Sequence, residues 1–241
     1  MSCYELIEYM SWSEFVSSYS RDIFGSNYIP NIYIFRGQRK ADWQLISSFD
    51  RQYRQLDWKK RSSIEVQLLN YFKTYLQREN IPIDDSHINS LAQHYGIPTR
   101  LLDWSYSPFI AAYFAFSSNK QEDRESVAIW ALRKDHDIWK QDLGVSVKEE
   151  TYFDTNIHQR RQLGCFTILQ NQEISLEGFL NSCENNGYDT HGALKKITIP
   201  NTEFKVALYE LEAMGINAMS VYGGLEGCAQ AAKDIVRLQY D

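Results

Sequence analysis

Apolar positions along this chain change period several times, and each change predicts an element. Residues 4–24 read as helical and peripheral. Tyr28 to Phe35 (YIPNIYIF) concentrates aromatic and β-branched side chains and predicts a strand ending at Arg36-Gly37. Behind a Ser62-x-x-Glu65 pair with capping-box spacing, Ile64, Leu68, Phe72, Tyr75 and Leu76 recur at helical intervals as far as Arg78. A shorter helix is expected from Ser86 to Tyr95, with Gly96 suited to its C-terminal cap and Pro98 barring continuation.

Ser107-Pro108 has the form of an N-cap followed by proline at the first helical position. Phe109 to Phe116 is apolar all round, which predicts a buried helix whose three alanines permit close approach. After a charged connector from Ser117 to Ser126, Val127–Leu132 reads as a central strand, and Cys165–Leu169 and Lys196–Ile199 as further strands. Gln170 to Gly192 is a long polar stretch and a candidate functional loop. Thr202–Met214 predicts a helix closed by Gly215. Leu225–Gln239 predicts a last amphipathic helix, introduced by Gly223-Gly224. No repeat or linker divides the core, so one α+β domain is expected, with residues 1–27 as a helical extension packed on residues 28–241.

Composition excludes some classes. The chain is 44% apolar and 23% charged over 241 residues, an ordinary globular balance. Its longest apolar run is eight residues, against about 20 for a membrane-spanning helix. The opening MSCYELIEYM has no basic segment leading into an apolar core, and Cys3, Cys165, Cys183 and Cys228 lack CxxC spacing. A cytoplasmic location with reduced thiols and no zinc site is therefore expected. A net charge of −6 disfavours indiscriminate coating of nucleic acid. That charge is uneven. Arg36 to Arg61 holds eight basic residues and three acids, a local excess of +5 that leaves −11 elsewhere. Trp43, Phe49, Tyr53 and Trp58 lie among these charges, a composition that suits a solvated face over core aromatics or a groove for single-stranded nucleic acid.

Phosphate-loop, dinucleotide-fold, zinc-protease and nucleophile-elbow motifs are all absent from the sequence. Three features carry candidate chemistry. Arg36 closes a buried run; its planar guanidinium can grip a pyrophosphate, and Gly37 would let a phosphate approach, or Arg36 pairs with a carboxylate across a sheet. Leu91-Ala92-Gln93-His94-Tyr95-Gly96-Ile97-Pro98-Thr99-Arg100-Leu101-Leu102-Asp103-Trp104-Ser105-Tyr106-Ser107-Pro108 packs polar groups between two apolar helices, where they must be paired or used. Arg100 and Asp103 can satisfy each other, and His94 can be a core histidine. Glu226, after Gly223-Gly224, is either a carboxylate favoured by the helix dipole or one held beside phosphate-binding N–H groups.

Taken together, Phe35-Arg36-Gly37-Gln38, the segment from Gln93 to Trp104 with Ser107-Pro108 and Ala112-Tyr113-Phe114-Ala115, and Gln162-Leu163-Gly164-Cys165-Phe166-Thr167 resemble the FRG domain, a bacterial family. Tyr222 to Ala229 occupies the place of its C-terminal motif, with Gly223-Gly224 where Pro-Asp is usual. The resemblance spans roughly residues 30–230. A more distant similarity, to ADP-ribosyltransferases of the arginine-serine-glutamate class, implies a split mixed or antiparallel central sheet with flanking helices. It also implies that Arg36 and the Ser105–Ser107 turn share one cleft. The class's Glu-x-Glu strand has no clean counterpart. Gln162 stands near its place, and Glu226, Glu173 or Glu177 would supply the carboxylate.

What the resemblance implies is an NAD-dependent ADP-ribosyltransferase needing no metal. Arg36, Ser105, Glu226 and Gln162 would be catalytic. Arg36, Gly37, Gln38, His94, Tyr95, Thr99, Arg100, Asp103, Trp104 and Ser107 would hold NAD, with Tyr95 or Trp104 stacking on nicotinamide. It also implies a toxin or anti-phage effector with a neutralising antitoxin protein and no membrane partner. The basic stretch points to single-stranded RNA as acceptor, with Arg51, Arg54 and Lys59 binding it. Alternatives are an NAD glycohydrolase, transfer to protein, and a non-catalytic nucleotide- or RNA-binding module.

Overall fold

The β-branched and aromatic runs assemble into one seven-stranded mixed sheet in the computed structural model, which describes residues 3–25, 29, 31–82, 87–117, 125–148 and 164–240. The strands are β1 (Glu5–Glu8), β2 (Tyr33–Gln38), β3 (Leu101–Ser105), β4 (Ser126–Arg133), β5 (Val145–Lys148), β6 (Gly164–Leu169) and β7 (Leu194–Pro200), in the order β1-β7-β4-β2-β3-β6-β5. Among the described residues, only β1 with β7 pairs in parallel. The nine helices among the described residues are α1 (Trp12–Phe24), α2 (Ser48–Gln52), α3 (Trp58–Arg78), α4 (Ile88–His94), α5 (Pro108–Phe116), α6 (Leu176–Asn185), α7 (Phe204–Ala213), α8 (Ala218–Val221) and α9 (Gly224–Tyr240). None is long and apolar enough to cross a membrane.

Strand β4 reads as a continuous apolar run because both of its faces are covered. On one side Val127, Ile129 and Ala131 meet α1, α5 and α7; on the other Ala128, Trp130 and Leu132 meet Trp139 and α6. Helix α5 lies in the first layer, and the predicted cap holds: the Ser107 Oγ accepts from the Ile110 N–H, with Pro108 in the first turn.

The sheet has a seam. Strands β2 and β4 share six register pairs and β3 and β6 share five, but β2 and β3 meet at Phe35 and Ser105 alone. Beyond that pair the two half-sheets diverge, and the fork between them faces residues 36–38 and 103–104.

Gly37 has a packing role that its sequence context hid. A Cβ there would lie 1.9 Å from the Ala111 carbonyl oxygen and 2.8 Å from the Ala115 nitrogen, both backbone atoms of α5. The glycine admits a helix rather than a phosphate. Gly37→Ala must push α5 off the sheet and is expected to cost about 1–3 kcal/mol or more, read by urea denaturation. A midpoint unchanged from wild type would show that α5 yields freely.

Several elements differ from expectation. Residues 5–8 form an edge strand instead of starting a helix: they pair with 195–198, and the Lys195 ammonium meets Glu5 at 3.2 Å. The helix waits for the Ser11 cap. Helix α3 starts at Trp58, capped by the Asp57 carboxylate, so Ser62 and Glu65 lie inside it. The expected loop from Gln170 to Gly192 contains α6, capped by Ser175, which buries Leu176, Phe179, Leu180 and Cys183 at helical spacing. Strand β2 runs past Arg36 and Gly37 to Gln38, while Tyr28 lies outside the described residues. Helix α2, helix α8 and strand β5 carried no pattern long enough to predict.

Candidate functional site

A cleft of about 960 Å³ opens at the fork. Its floor is Arg36, Gly37 and Gln38 of β2 with Asp103, Trp104 and Ser105 of β3. One wall comes from the segment after β2 and from the vicinity of α2: Arg39, Asp42, Trp43, Gln44, Ile46, Arg51 and Arg54. Ser90, Gln93 and His94 of α4 form another, and Phe114, Ser117, Tyr222 and Glu226 a third.

Arg36 bridges the fork. Its Nη1 donates to the Asp103 carbonyl oxygen at 2.8 Å and lies 3.8 Å from the Asp103 Oδ2. Its Nε is buried and has no partner among the described residues. Burial lowers the pKa of the guanidinium, Asp103 opposes that, and the Arg51 charge adds to it. A quarter of the side-chain surface (25%) still faces the cleft, so the group is hemmed in by protein yet within reach of a ligand.

Asp103 is held by a relay. The Thr99 hydroxyl donates to the Gln93 Oε1 at 2.6 Å, and the Gln93 Nε2 donates to the Asp103 Oδ1 at 2.5 Å. Burial raises the Asp103 pKa above the usual carboxylate range, against the pull of Arg36, the backbone and Gln93. As with Arg36, much of the side chain (52%) is open to the cleft. Gln38 is also fixed, donating to the Gln44 carbonyl and accepting from the Trp130 indole N–H at 2.7 Å. The Ser105 Oγ accepts from the Ser107 N–H at 3.1 Å. Across the cleft, the Tyr222 hydroxyl is pushed up to about 12 by burial and by the Glu226 and Asp234 charges.

The cleft thus gathers Arg36, Gly37, Gln38, His94, Asp103, Trp104, Ser105, Glu226, Arg51 and Arg54. Other predicted residues lie elsewhere. Arg100 is buried, its Nε on Glu65 at 2.7 Å and its Nη1 on Asp50 at 3.1 Å, between the rings of Phe49 and Trp58. Arg61 shares Asp50 at 2.5 Å and donates to the Gln172 carbonyl. This ion network locks α2 to α3 and β3, so Arg100 shapes the wall without reaching the cleft. It also absorbs two of the interleaved aromatics.

Thr99 acts through Gln93. Trp104 is buried with its N–H on the Thr167 hydroxyl at 2.9 Å, so its ring is not free to stack on a ligand. Ser107 spends its hydroxyl on the α5 cap. Tyr95 is exposed and outside the cleft lining, as is Lys59. Glu177 is buried, its carboxylate taking the Leu45 N–H at 3.0 Å, and Glu173 lines a separate cavity beside Trp58 and Phe179. Of the three carboxylates considered, only Glu226 reaches the cleft. Gln162 lies outside the described residues.

Sequence reading gave no role to Gln93, although it stands in the quoted motif, and missed Asp42, Gln44, Phe114, Phe166 and Tyr222. Arg39 over Trp43, at 5.4 Å, was legible only as composition.

The FRG domain family model matches residues 31–124, the stretch that runs from β2 through α5 and holds both Phe35-Arg36-Gly37 and the segment from Gln93 to Trp104. No curated protein matches the chain. No solved structure matches it either.

Proposed function

We propose that this chain, whose residues 31–124 carry an FRG domain, is an NAD-dependent ADP-ribosyltransferase that modifies a base of single-stranded RNA in the cytoplasm, as a toxin or anti-phage effector. One observation carries the reading: Arg36 stands in a cleft at the sheet fork with a buried Nε that has no partner among the described residues. An unpaired buried donor costs about 1–3 kcal/mol, which a phosphate oxygen would offset through a charge-assisted bond. Arg36 would hold the pyrophosphate from its free edge, and Ser105, in register with its neighbour Phe35, would support the adjacent ribose. His94 and Phe114 line the same cleft and offer faces to a base.

The wall supports the choice of acceptor. Arg39, Arg51 and Arg54 line the cleft together with Trp43, which is 41% exposed, so cations and a stacking surface adjoin the proposed NAD site. A strand can track such cations and stack at about 1–3 kcal/mol per base, whereas a duplex must first surrender its target base. An enzyme that modifies RNA harms its own host unless restrained, which implies a neutralising protein partner.

Labelled NAD offered in parallel with single-stranded RNA, single-stranded DNA, duplex and cell protein tests the reading. Label on RNA supports it. Free ADP-ribose alone, label on protein alone, or binding without turnover would each replace it with a different activity. Replacing Arg51 and Arg54 together by alanine is expected to weaken RNA transfer and reduce the salt slope by about 1.4, at about 0.7 per lost phosphate contact. Lys59→Ala, outside the cleft, should leave that slope unchanged.

A further inference from the structure

The proposed transfer builds positive charge on a ribose carbon, and a carboxylate must face it. Three acids line the cleft: Asp42, Asp103 and Glu226. Asp42 and Glu226 sit on exposed segments, the first in the stretch after β2 and the second in the first turn of α9. Asp103 differs in being built in. It stands on β3 two positions from Ser105, so both project from one face of the strand. Its Oδ1 is fixed by Gln93, itself fixed by Thr99, and its Oδ2 lies 3.8 Å from Arg36. A sugar attached to a phosphate held by Arg36 would lie beside that carboxylate.

Resting on the reading of the cleft as an NAD site, we propose that Asp103 is the catalytic carboxylate, and that Gln93 and Thr99 are positioning residues that aim it. The C1′–N bond breaks with its electron pair passing to the ring nitrogen, so nicotinamide leaves neutral. The lone pair of an exocyclic nitrogen on the RNA base forms the new bond to C1′. The proton shed by that nitrogen passes to the Asp103 Oδ2 and then to water. A carboxylate held in place before the reaction needs no reorganisation as charge develops, and fixed groups of this kind are worth about 10²–10³ in rate. The arrangement also explains the Gln-His-Tyr-Gly-Ile-Pro-Thr-Arg-Leu-Leu-Asp segment: Gln93 lies in the last turn of α4, Thr99 follows the turn, and Asp103 lies on the strand they reach.

Asp103 must be ionised to act, so turnover rises with pH through its raised pKa. The acid limb of the kcat profile therefore lies above the range of an ordinary carboxylate. Asp103→Asn keeps the shape and an acceptor for Gln93. It is expected to bind NAD within about threefold of wild type by calorimetry, to lose about 10²-fold or more in kcat, and to lose the acid limb. Gln93→Leu should lower kcat about tenfold with NAD affinity kept, because the carboxylate is present but unaimed.

If binding and turnover fall together in Asp103→Asn, the residue serves only to place Arg36 and the assignment is overturned. Full turnover in Asp103→Asn with loss in Glu226→Gln overturns it in favour of Glu226. Wild-type protein that binds no NAD ends the underlying reading instead, a result seen before any variant is made.

Discussion

Arg36→Lys is expected to lower the proposed NAD turnover by about 10²-fold or more in a chain that remains folded. The guanidinium performs two tasks at once. One edge donates to the Asp103 carbonyl across the fork, and the buried Nε, with no partner among the described residues, would meet the proposed ligand. Lysine keeps the charge but is a single point donor that cannot serve both sides of the gap. Each charge-assisted bond lost is worth about 1.5–3 kcal/mol, and about 1.4 kcal/mol is tenfold, so the loss of one to two such bonds accounts for the expected factor. Turnover and NAD affinity, measured beside a thermal melt, check it. Undiminished turnover in a folded Arg36→Lys protein would remove Arg36 from the site.

Asp50→Ala should be the most damaging single change to stability, at about 3–5 kcal/mol. Asp50 is almost wholly buried and accepts from Arg61 and Arg100 together, while Glu65 accepts from the Arg100 Nε. Removing it leaves two guanidiniums in a dry setting, closed in by Phe49 and Trp58, with one carboxylate between them. At about 2–4 °C per kcal/mol for a chain of this size, the melting temperature is expected to drop by about 6–20 °C. Helix α2 also carries Arg51 into the cleft, so the same variant should weaken the proposed RNA transfer at temperatures where it is still folded. A drop under about 2 °C would mean that water reaches these charges.

What the sequence revealed and what it concealed follow a physical line. Ser107-Pro108 and the apolar run behind it were legible because caps and continuous hydrophobicity are local properties. Strands β4, β6 and β7 were legible for the same reason. Strand β1 was not, since Glu5–Glu8 is strand only by virtue of a partner near residue 195. Helix α6 did leave a signal, with Leu176, Phe179, Leu180 and Cys183 at helical spacing behind a serine, but the polar flanks outweighed it. Within the candidate site, Arg36 and Ser105 were readable as chemistry. Arg100 was not separable from them, because a cation between two aromatic rings and a cation awaiting a phosphate look alike until their neighbours are known. Gln93 became informative only once Thr99 and Asp103 were seen on either side of its amide.

The pairing of β1 with β7 has a consequence for how the chain is made. Strand β1 is synthesised well before its partner β7, and Trp12 likewise waits for Glu203 and Glu210 to receive its backbone and indole N–H groups. Until residues 194–200 leave the ribosome, one edge of β4 stays bare, and β4 is the most apolar strand of the sheet. Contacts so distant in sequence form late and slowly. A prematurely terminated or stalled chain therefore offers a sticky, open edge suited to aggregation or proteolysis rather than a finished Arg36 cleft.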